Sequence, residues 1–518
     1  MNGDGPAAPS PAARGSLALE VALVLAAALA LYVSTVAPGV LWQDSGMAQV
    51  RVLERDLRGT LGLALAHPLY YSAALLFQNL PFADSAYKTN LVSAVFGAVA
   101  VASLYTLLRV LAARRTAAAC GAISLAVAHT FWQHCTLAEV YTLSLSLLLL
   151  ELVCLALWQR TRGPAWIVAL FFFNGLGFAN HLLAVLSLAC YGIFSLVQVA
   201  QRRLKLAVLL LAILTWFVGA LPMWLLIAQE LREGATLGAT LHSTFFGIGF
   251  ADKVLNVLPS AQMLIRSGIY LGLNYPTPAF LLIFVGFFGL RRSVGRPLSS
   301  LLVALLLVHL VWAIRYKVPD QYTFFLPAVT LLAVFVGLGA ERILAAPRGA
   351  AWTPLLLLAA VLPVGVYVSL PTVAQRWNIA LPVKRELPFR DEYRYFLWPW
   401  KAGEHGPARF AEAMRSDLPD WAVLVADDTA VRPIHYLQRT GRWQRRVLVI
   451  PEVGAHGLAA AQPDLLAEPL RMGRLFVVTP ARGYCPQWLL DQCDFVRESH
   501  VWRAVPRSGP ATAPASAP

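Results

Sequence analysis

Leu17-Ala-Leu-Glu-Val-Ala-Leu-Val-Leu-Ala-Ala-Ala-Leu-Ala-Leu-Tyr-Val-Ser-Thr-Val36 is an almost unbroken apolar run, and it gives way directly to Ala37-Pro-Gly-Val-Leu-Trp-Gln-Asp44-Ser-Gly46. Roughly 20 apolar residues are what a helix needs to cross the hydrocarbon of a bilayer. The stretch therefore predicts a first membrane helix with a carboxylate at its boundary. A carboxylate there is costly unless water, a partner or a substrate reaches it, so Asp44 reads first as functional and second as an ordinary loop residue. No small-residue cleavage pattern follows a short apolar core, so the run reads as a retained helix and not a removable signal.

The same composition extends along the chain. With 58% hydrophobic and 14% charged residues and a mean hydropathy of +0.61, the chain exposes too much apolar surface for one soluble domain. A net charge of +14 would suggest nucleic acid in a soluble protein. Here Arg and Lys fall in short clusters between apolar runs, at Arg109, Arg114 and Arg115, at Arg160 and Arg162, at Arg202, Arg203 and Lys205, and at Arg291, Arg292 and Arg296. That is a topology signal, with the basic loops inside, and it excludes a nucleic-acid surface.

Following those clusters predicts a polytopic helical bundle of about 11 transmembrane helices. The N-terminus is cytoplasmic, and the long loop from Ala37 to Ser85 is outside, holding Asp44 and His67. The third span is Thr116 to Trp132, and the seventh ends near Ile227. The apolar part of His67–Leu80, roughly 14 residues, is too short to span and is placed in the interface. Glu230 to Thr277 is too polar and Gly-broken for a span and reads as a large outer loop with an interfacial part around Phe245 to Phe250. After Pro371 the pattern changes. Ala422–Ala426, Val447–Ile450 and Leu475–Val478 look like buried parallel strands separated by helical segments, which predicts a small C-terminal extracytoplasmic α/β domain. The expected division is residues 1–15 as a disordered cytoplasmic tail, 16–371 as the membrane domain, 372–507 as the α/β domain and 508–518 as a disordered tail. Cys485 and Cys493 fall in the outer domain, where a disulfide is permitted; a helix between them could equally hold the sulfurs apart.

Beyond Asp44, the candidate residues lie at outer helix ends. Glu139 opens the second outer loop and competes with a reading as a helix cap. His67, before a proline, could bond a phosphate or simply be a hydrogen-bonded structural histidine. Arg51 and Arg55, one turn apart, suit a donor phosphate or anionic lipid heads. Arg315, Lys317 and Asp320 cluster where two spans meet, with Arg the better bidentate clamp on phosphate. His181, beside Asn180, sits at another outer turn. Asp427-Asp428 follows a strand as a ligand-facing loop or as solvated charge.

Thr35-Val-Ala-Pro-Gly-Val-Leu-Trp-Gln-Asp44-Ser-Gly, Leu61-Gly-Leu-Ala-Leu-Ala-His67-Pro68, Thr89-Asn90-Leu-Val-Ser-Ala, Phe131-Trp132 and Ala138-Glu139-Val-Tyr141-Thr-Leu together resemble the DUF2723 membrane proteins. That family includes a protein O-mannosyltransferase and belongs to the GT-C glycosyltransferase superfamily. The resemblance covers most of the first part of the chain and continues more weakly through Tyr316-Lys-Val-Pro-Asp320-Gln-Tyr. It departs at Met47, where relatives tend to have Glu, and at Leu69-Tyr70, where they have Pro-Gly.

The resemblance implies a GT-C-type bundle that passes a sugar from a polyprenyl-phosphate donor to an acceptor hydroxyl of a protein or glycan, on the outer face and with inversion. Asp44 is then the base and Glu139 a second acid that orients the acceptor or, with Asp44, holds Mg or Mn. His67, Arg51, Arg55, His181, Arg315, Lys317 and Asp320 are candidates for binding donor and substrate. The Ala, Arg and Pro bias favours a bacterial plasma membrane. Two other classes stay open: a transporter or lipid flippase relaying ions through Asp44 and Glu139, and a non-catalytic scaffold binding a partner through its outer domain.

Overall fold

The computed structural model describes residues 11–254, 256, 258–381, 386–443, 445–452 and 464–507. The tail expected from residue 508, and most of the one expected over 1–15, lie outside the described residues. The chain forms two compact units. One comprises Met1–Ala37, Glu54–Lys384 and Glu392–Ala402; the other comprises Pro38–Leu53, Arg385–Asp391 and Gly403–Pro518. The division is interleaved and differs from a single cut after residue 371.

The first unit is helical. Among the described residues, six helices are long and apolar enough to cross a membrane: Gly15–Thr35, Ser85–Val110, Tyr141–Thr161, Arg296–Arg315, Gln321–Leu344 and Gly349–Arg376. Two further pairs pass only when joined, Leu206–Gly219 with Leu221–Arg232, bent by 63°, and Ala261–Asn274 with Ala279–Val294, bent by 103°. Pro164–Asn180 and Ala184–Ala200 are shorter apolar helices, and so is Pro68–Phe77. This is the helix content of an integral membrane protein.

Hydropathy alone misjudges several of these elements. The expected third span is two helices, Arg115–Ala126 and His129–Cys135, because Ala128 between them takes an extended conformation with ψ 129°. The expected loop over Glu230–Thr277 contains helices Leu237–Phe246 and Ala261–Asn274. Their polar starts are caps: the side chains of Thr236 and Ser260 accept the backbone N–H of Ala239 and Met263, satisfying donors a helix start would otherwise leave unpaired. Within the stretch Phe245 to Phe250 the helix ends at Gly247, at φ 63°, and the following Ile248 N–H donates to the Leu61 carbonyl at 2.9 Å.

Lipid gives helices no hydrophobic reason to associate, so close backbone approach and polar contacts must do so. A Cβ on Gly286 would lie 2.0 Å from the Phe335 carbonyl oxygen, and one on Gly339 would lie 2.1 Å from that of Leu282. Helices Ala279–Val294 and Leu326–Leu344 thus touch backbone to backbone at two reciprocal points. At the basic end of the bundle, Glu20 accepts from Arg109 Nε at 3.0 Å, Arg115 Nε at 2.7 Å and the Tyr105 hydroxyl at 2.9 Å, tying the first helix to its neighbours.

The second unit is built on a five-stranded sheet. Its strands are β1 (Val423–Asp427), β2 (Leu448–Glu452), β3 (Leu475–Val477), β4 (Cys493–Glu498) and β5 (Val501–Pro506), in the order β2-β1-β3-β5-β4. β1 runs parallel to β2 and β3, whereas β5 pairs antiparallel with β3 and β4. Helices Gly406–Asp417 and Asp428–Arg439 belong to the same unit. Val425, Ile450, Leu475, Val477, Leu489 and Cys493 form its core. Cys485 and Cys493 are both buried, with no disulfide between them, and helix Gln487–Gln492 lies between them in the chain.

Candidate functional site

In the first unit the candidates His67, His181 and Asp320 are linked around Tyr141, the first residue of its helix. Glu139, two residues earlier, is fixed through its backbone: its N–H donates to Ser93 Oγ at 2.9 Å, and Ser93 Oγ lies 3.0 Å from its carbonyl oxygen. His67 precedes helix Pro68–Phe77 with φ 51° and ψ 48°. A residue before proline is sterically disfavoured in the right-handed helical region, and a left-handed non-glycine residue is strained, a conformation that gathers at functional sites. His67 Nδ1 meets the Asn180 carbonyl oxygen at 2.7 Å, and its ring stacks on His181 with centroids 5.1 Å apart.

His181 in turn lies 5.2 Å from the Tyr141 ring and 6.2 Å from that of Phe324. Asn180 donates to the Val140 carbonyl at 2.9 Å and to Ser144 Oγ at 2.7 Å, locking this turn onto the start of the Tyr141 helix. On the far side of the cluster, Thr323 Oγ1 donates to the Tyr141 hydroxyl at 3.2 Å and lies 2.9 Å from the Asp320 carbonyl oxygen. Sequence candidates His67, His181 and Asp320 are thereby linked through Tyr141 and Thr323, with Glu139 next to them in the chain. Tyr141 lies in Ala138-Glu139-Val-Tyr141, and no local sequence signal marks it as the hub.

The two imidazoles differ in what they present. His67 Nδ1 faces a carbonyl and so carries the proton, which leaves Nε2 an acceptor while the ring is neutral. His181 Nδ1 accepts the Leu183 N–H at 3.2 Å, so its proton sits on Nε2. Burial, reinforced by His67, holds His181 well below the usual histidine range; it is a neutral donor. The half-buried Asp320 carboxyl is raised by desolvation against the pull of hydrogen bonds from its own backbone and Thr323 and of the Lys253 charge. A cavity of ≈ 20 Å³ bordered by Tyr141 and Ser144 reaches Glu151, Ser187 and His309, room for about one water.

Other expectations change. The Arg315 guanidinium donates to the Asn256 carbonyl and lies 4.6 Å from the Trp312 ring centroid, while Lys317 on the same loop is exposed. Arg51 and Arg55 do not share a helical face. Arg51 is buried on helix Gln43–Glu54, whereas Arg55 lies past its end at φ 54° and is exposed. The Asp427-Asp428 pair does structural work: Asp427 caps the next helix by accepting the Thr429 N–H at 3.1 Å, and Asp428 pairs with Arg432. Among the described residues no group of three or more His, Cys, Asp or Glu side chains is placed to hold a metal ion.

Asp44 itself is exposed, in the first turn of helix Gln43–Glu54, and belongs to the second unit. The segment before it is stapled by Gln49, which accepts the Leu41 N–H at 2.9 Å and donates to the Gly39 carbonyl at 3.1 Å.

A family model described as the Protein O-mannosyl-transferase TMEM260 N-terminal domain matches residues 63–205. Among solved structures, ArnT from Cupriavidus metallidurans bound to undecaprenyl phosphate matches 93% of this chain and 97% of its own, with a TM-score of 0.56 at 12% identity. Its apo form gives a TM-score of 0.55 at 14% identity, over 95% and 98% of the two chains. The protein has the GT-C fold. The arabinofuranosyltransferase AftD from Mycobacteria shares this GT-C architecture at a TM-score of 0.51 and 15% identity, over 95% of this chain; the chain spans 38% of that protein. No curated protein matches. The O-mannosyl-transferase match takes in the part of the GT-C bundle that carries His67, Glu139, Tyr141 and His181, whereas Asp44, Arg315 and Asp320 lie outside it.

One pH effect belongs to the second unit. Burial, aided by the charges of Arg432 and Arg439, lowers the His435 imidazole from 6.5 to about 4. Between those values the unfolded chain binds the proton and the folded unit does not, so stability is full above pH 6.5 and is lost as pH falls toward 4. His435→Gln is expected to flatten that decline, followed as amide hydrogen exchange of β1 across the same window. An unchanged decline would rule out His435 as its source.

Proposed function

We propose that this protein is a membrane glycosyltransferase of the DUF2723 kind that moves a sugar, mannose in the first instance, from undecaprenyl phosphate to an acceptor hydroxyl on the outer face of a bacterial plasma membrane. The observation that carries the reading is the fold similarity, over 93% of the chain, to a protein solved bound to undecaprenyl phosphate. The O-mannosyl-transferase model over residues 63–205 favours mannose.

The chemistry is a single displacement. The acceptor oxygen attacks the anomeric carbon as the bond from that carbon to the phosphate oxygen breaks. The proton passes to the Asp44 carboxylate, and the bonding electrons leave with the polyprenyl phosphate. A positioned base contributes roughly 10²–10⁴-fold to such a step. The departing phosphate gains charge, and a donor already aimed at it stabilises that charge without reorganisation. In this reading His181 Nε2–H is such a donor. Glu139 and Asp320 orient the acceptor in this reading.

The test is the full chain in nanodiscs with undecaprenyl-phosphate mannose labelled in the sugar, and an extract of membrane proteins and glycans as acceptors. The expected result is label moving from the lipid to a protein or glycan fraction. Label that stays on lipid, with mannose and with a panel of other undecaprenyl-phosphate hexoses and pentoses, overturns the enzyme reading. Intact donor crossing the bilayer would assign the protein to lipid transport.

A further inference from the structure

Asp44 lies between two residues that are fixed in the second unit. Trp42, two residues before it, is 0% exposed. Its ring is 5.2 Å from that of Phe410 on helix Gly406–Asp417, and the Arg390 guanidinium lies 5.7 Å from its centroid. Two residues after Asp44 comes Gly46, whose N–H donates to the Trp42 carbonyl at 3.1 Å. A Cβ there would stand 2.3 Å from the Leu41 carbonyl oxygen and 2.7 Å from Arg432 Cβ on helix Asp428–Arg439. No side chain larger than hydrogen fits that approach. The intervening Asp44 side chain is the exposed one. Sequence places this motif at the end of the first membrane helix; the fold makes it part of the α/β unit.

We infer that Trp42 and Gly46 are positioning residues, and that the α/β unit is the scaffold that sets the geometry of Asp44 for proton transfer. The inference rests on Asp44 being the base. A base must be held to within about half an ångström of its productive place, and the burial of Trp42 with the Gly46 seam supplies that restraint through Phe410 and Arg432. The α/β unit is in this view part of the catalytic apparatus, and loosening it costs turnover before it costs donor binding.

The test compares Gly46→Ala, Trp42→Ala, Trp42→Phe and Asp44→Asn in the full chain, in nanodiscs with undecaprenyl-phosphate mannose. Two quantities are read: kcat against donor KM, and hydrogen exchange of residues 43–54 and 428–439. Gly46→Ala and Trp42→Ala are expected to lower kcat by on the order of 10–10²-fold with donor KM near wild type, the scale of an ångström-sized misplacement. Trp42→Phe, which keeps an aromatic ring against Phe410, restores most of the loss. In Gly46→Ala both helices lose protection together. Wild-type kcat in Gly46→Ala, or deprotection of residues 43–54 alone, overturns the inference. Should Gly46→Ala fail to fold, the Trp42 pair decides, equal kcat in its two members being the contrary result. Full activity in Asp44→Asn removes the base reading itself, whereas an inactive Asp44→Asn beside an unaffected Gly46→Ala removes only the positioning role.

Discussion

Asp44→Asn is expected to reduce turnover of undecaprenyl-phosphate mannose by on the order of 10²–10⁴-fold while leaving donor KM close to wild type. Asn has the size and shape of Asp but no carboxylate to take the acceptor proton. Asp44 is exposed in the first turn of its helix, where the interaction of an anion with the helix start is worth about 0.3–1 kcal/mol. The fold is expected to survive the replacement and the loss to fall on the chemical step. Single-turnover rates measured beside donor affinity separate the two. A variant that turns over within a few-fold of wild type would take Asp44 out of the mechanism.

Gly339→Val is expected to give the largest loss of stability. The added Cβ would sit 2.1 Å from the Leu282 carbonyl oxygen, and a backbone oxygen inside a helix cannot turn aside as a side chain would. Helices Ala279–Val294 and Leu326–Leu344 must separate, which also opens the matching contact at Gly286. Overpacking of this kind costs about 1–3 kcal/mol where side chains can yield and more where they cannot, and in lipid no hydrophobic term offsets lost packing. The expected readouts are a lower unfolding temperature in detergent and loss of monodisperse protein. Gly365→Val is the control, since nothing lies within 4 Å of a Cβ at that position. Equal behaviour of the two variants would show that the close approach does not hold the bundle.

Much of the fold was legible because burial writes a pattern into neighbouring residues. β1 is buried at every position, and a strand covered on both faces reads as a continuous apolar run; β2 and β3 were found the same way. β4 and β5 were missed because their exposed and buried positions mix with Asp494, Arg497, Glu498 and Arg503, which resembles a loop. The long apolar spans were visible, whereas the 63° and 103° bends were not, since a bend depends on what the helix packs against.

The site shows the same division. Residue type nominated Asp44, Glu139, His67, His181 and Asp320. It also nominated Arg315, and no local signal could reveal that the Asn256 carbonyl and the Trp312 ring lie against that guanidinium. Which nitrogen of each histidine carries the proton likewise follows from partners far away in the chain.

By itself the sequence determined a membrane-embedded helical chain, its C-terminal parallel strands and the chemical types available for catalysis, because each is recorded in consecutive residues as hydropathy, periodicity or charge. Only the tertiary structure decided that His67, His181 and Asp320 gather around Tyr141, and that Asp44 is mounted on the α/β unit through Trp42, Gly46, Phe410 and Arg432. Those contacts join segments remote in the chain, where shape and hydrogen bonding select the partner and leave no periodic trace.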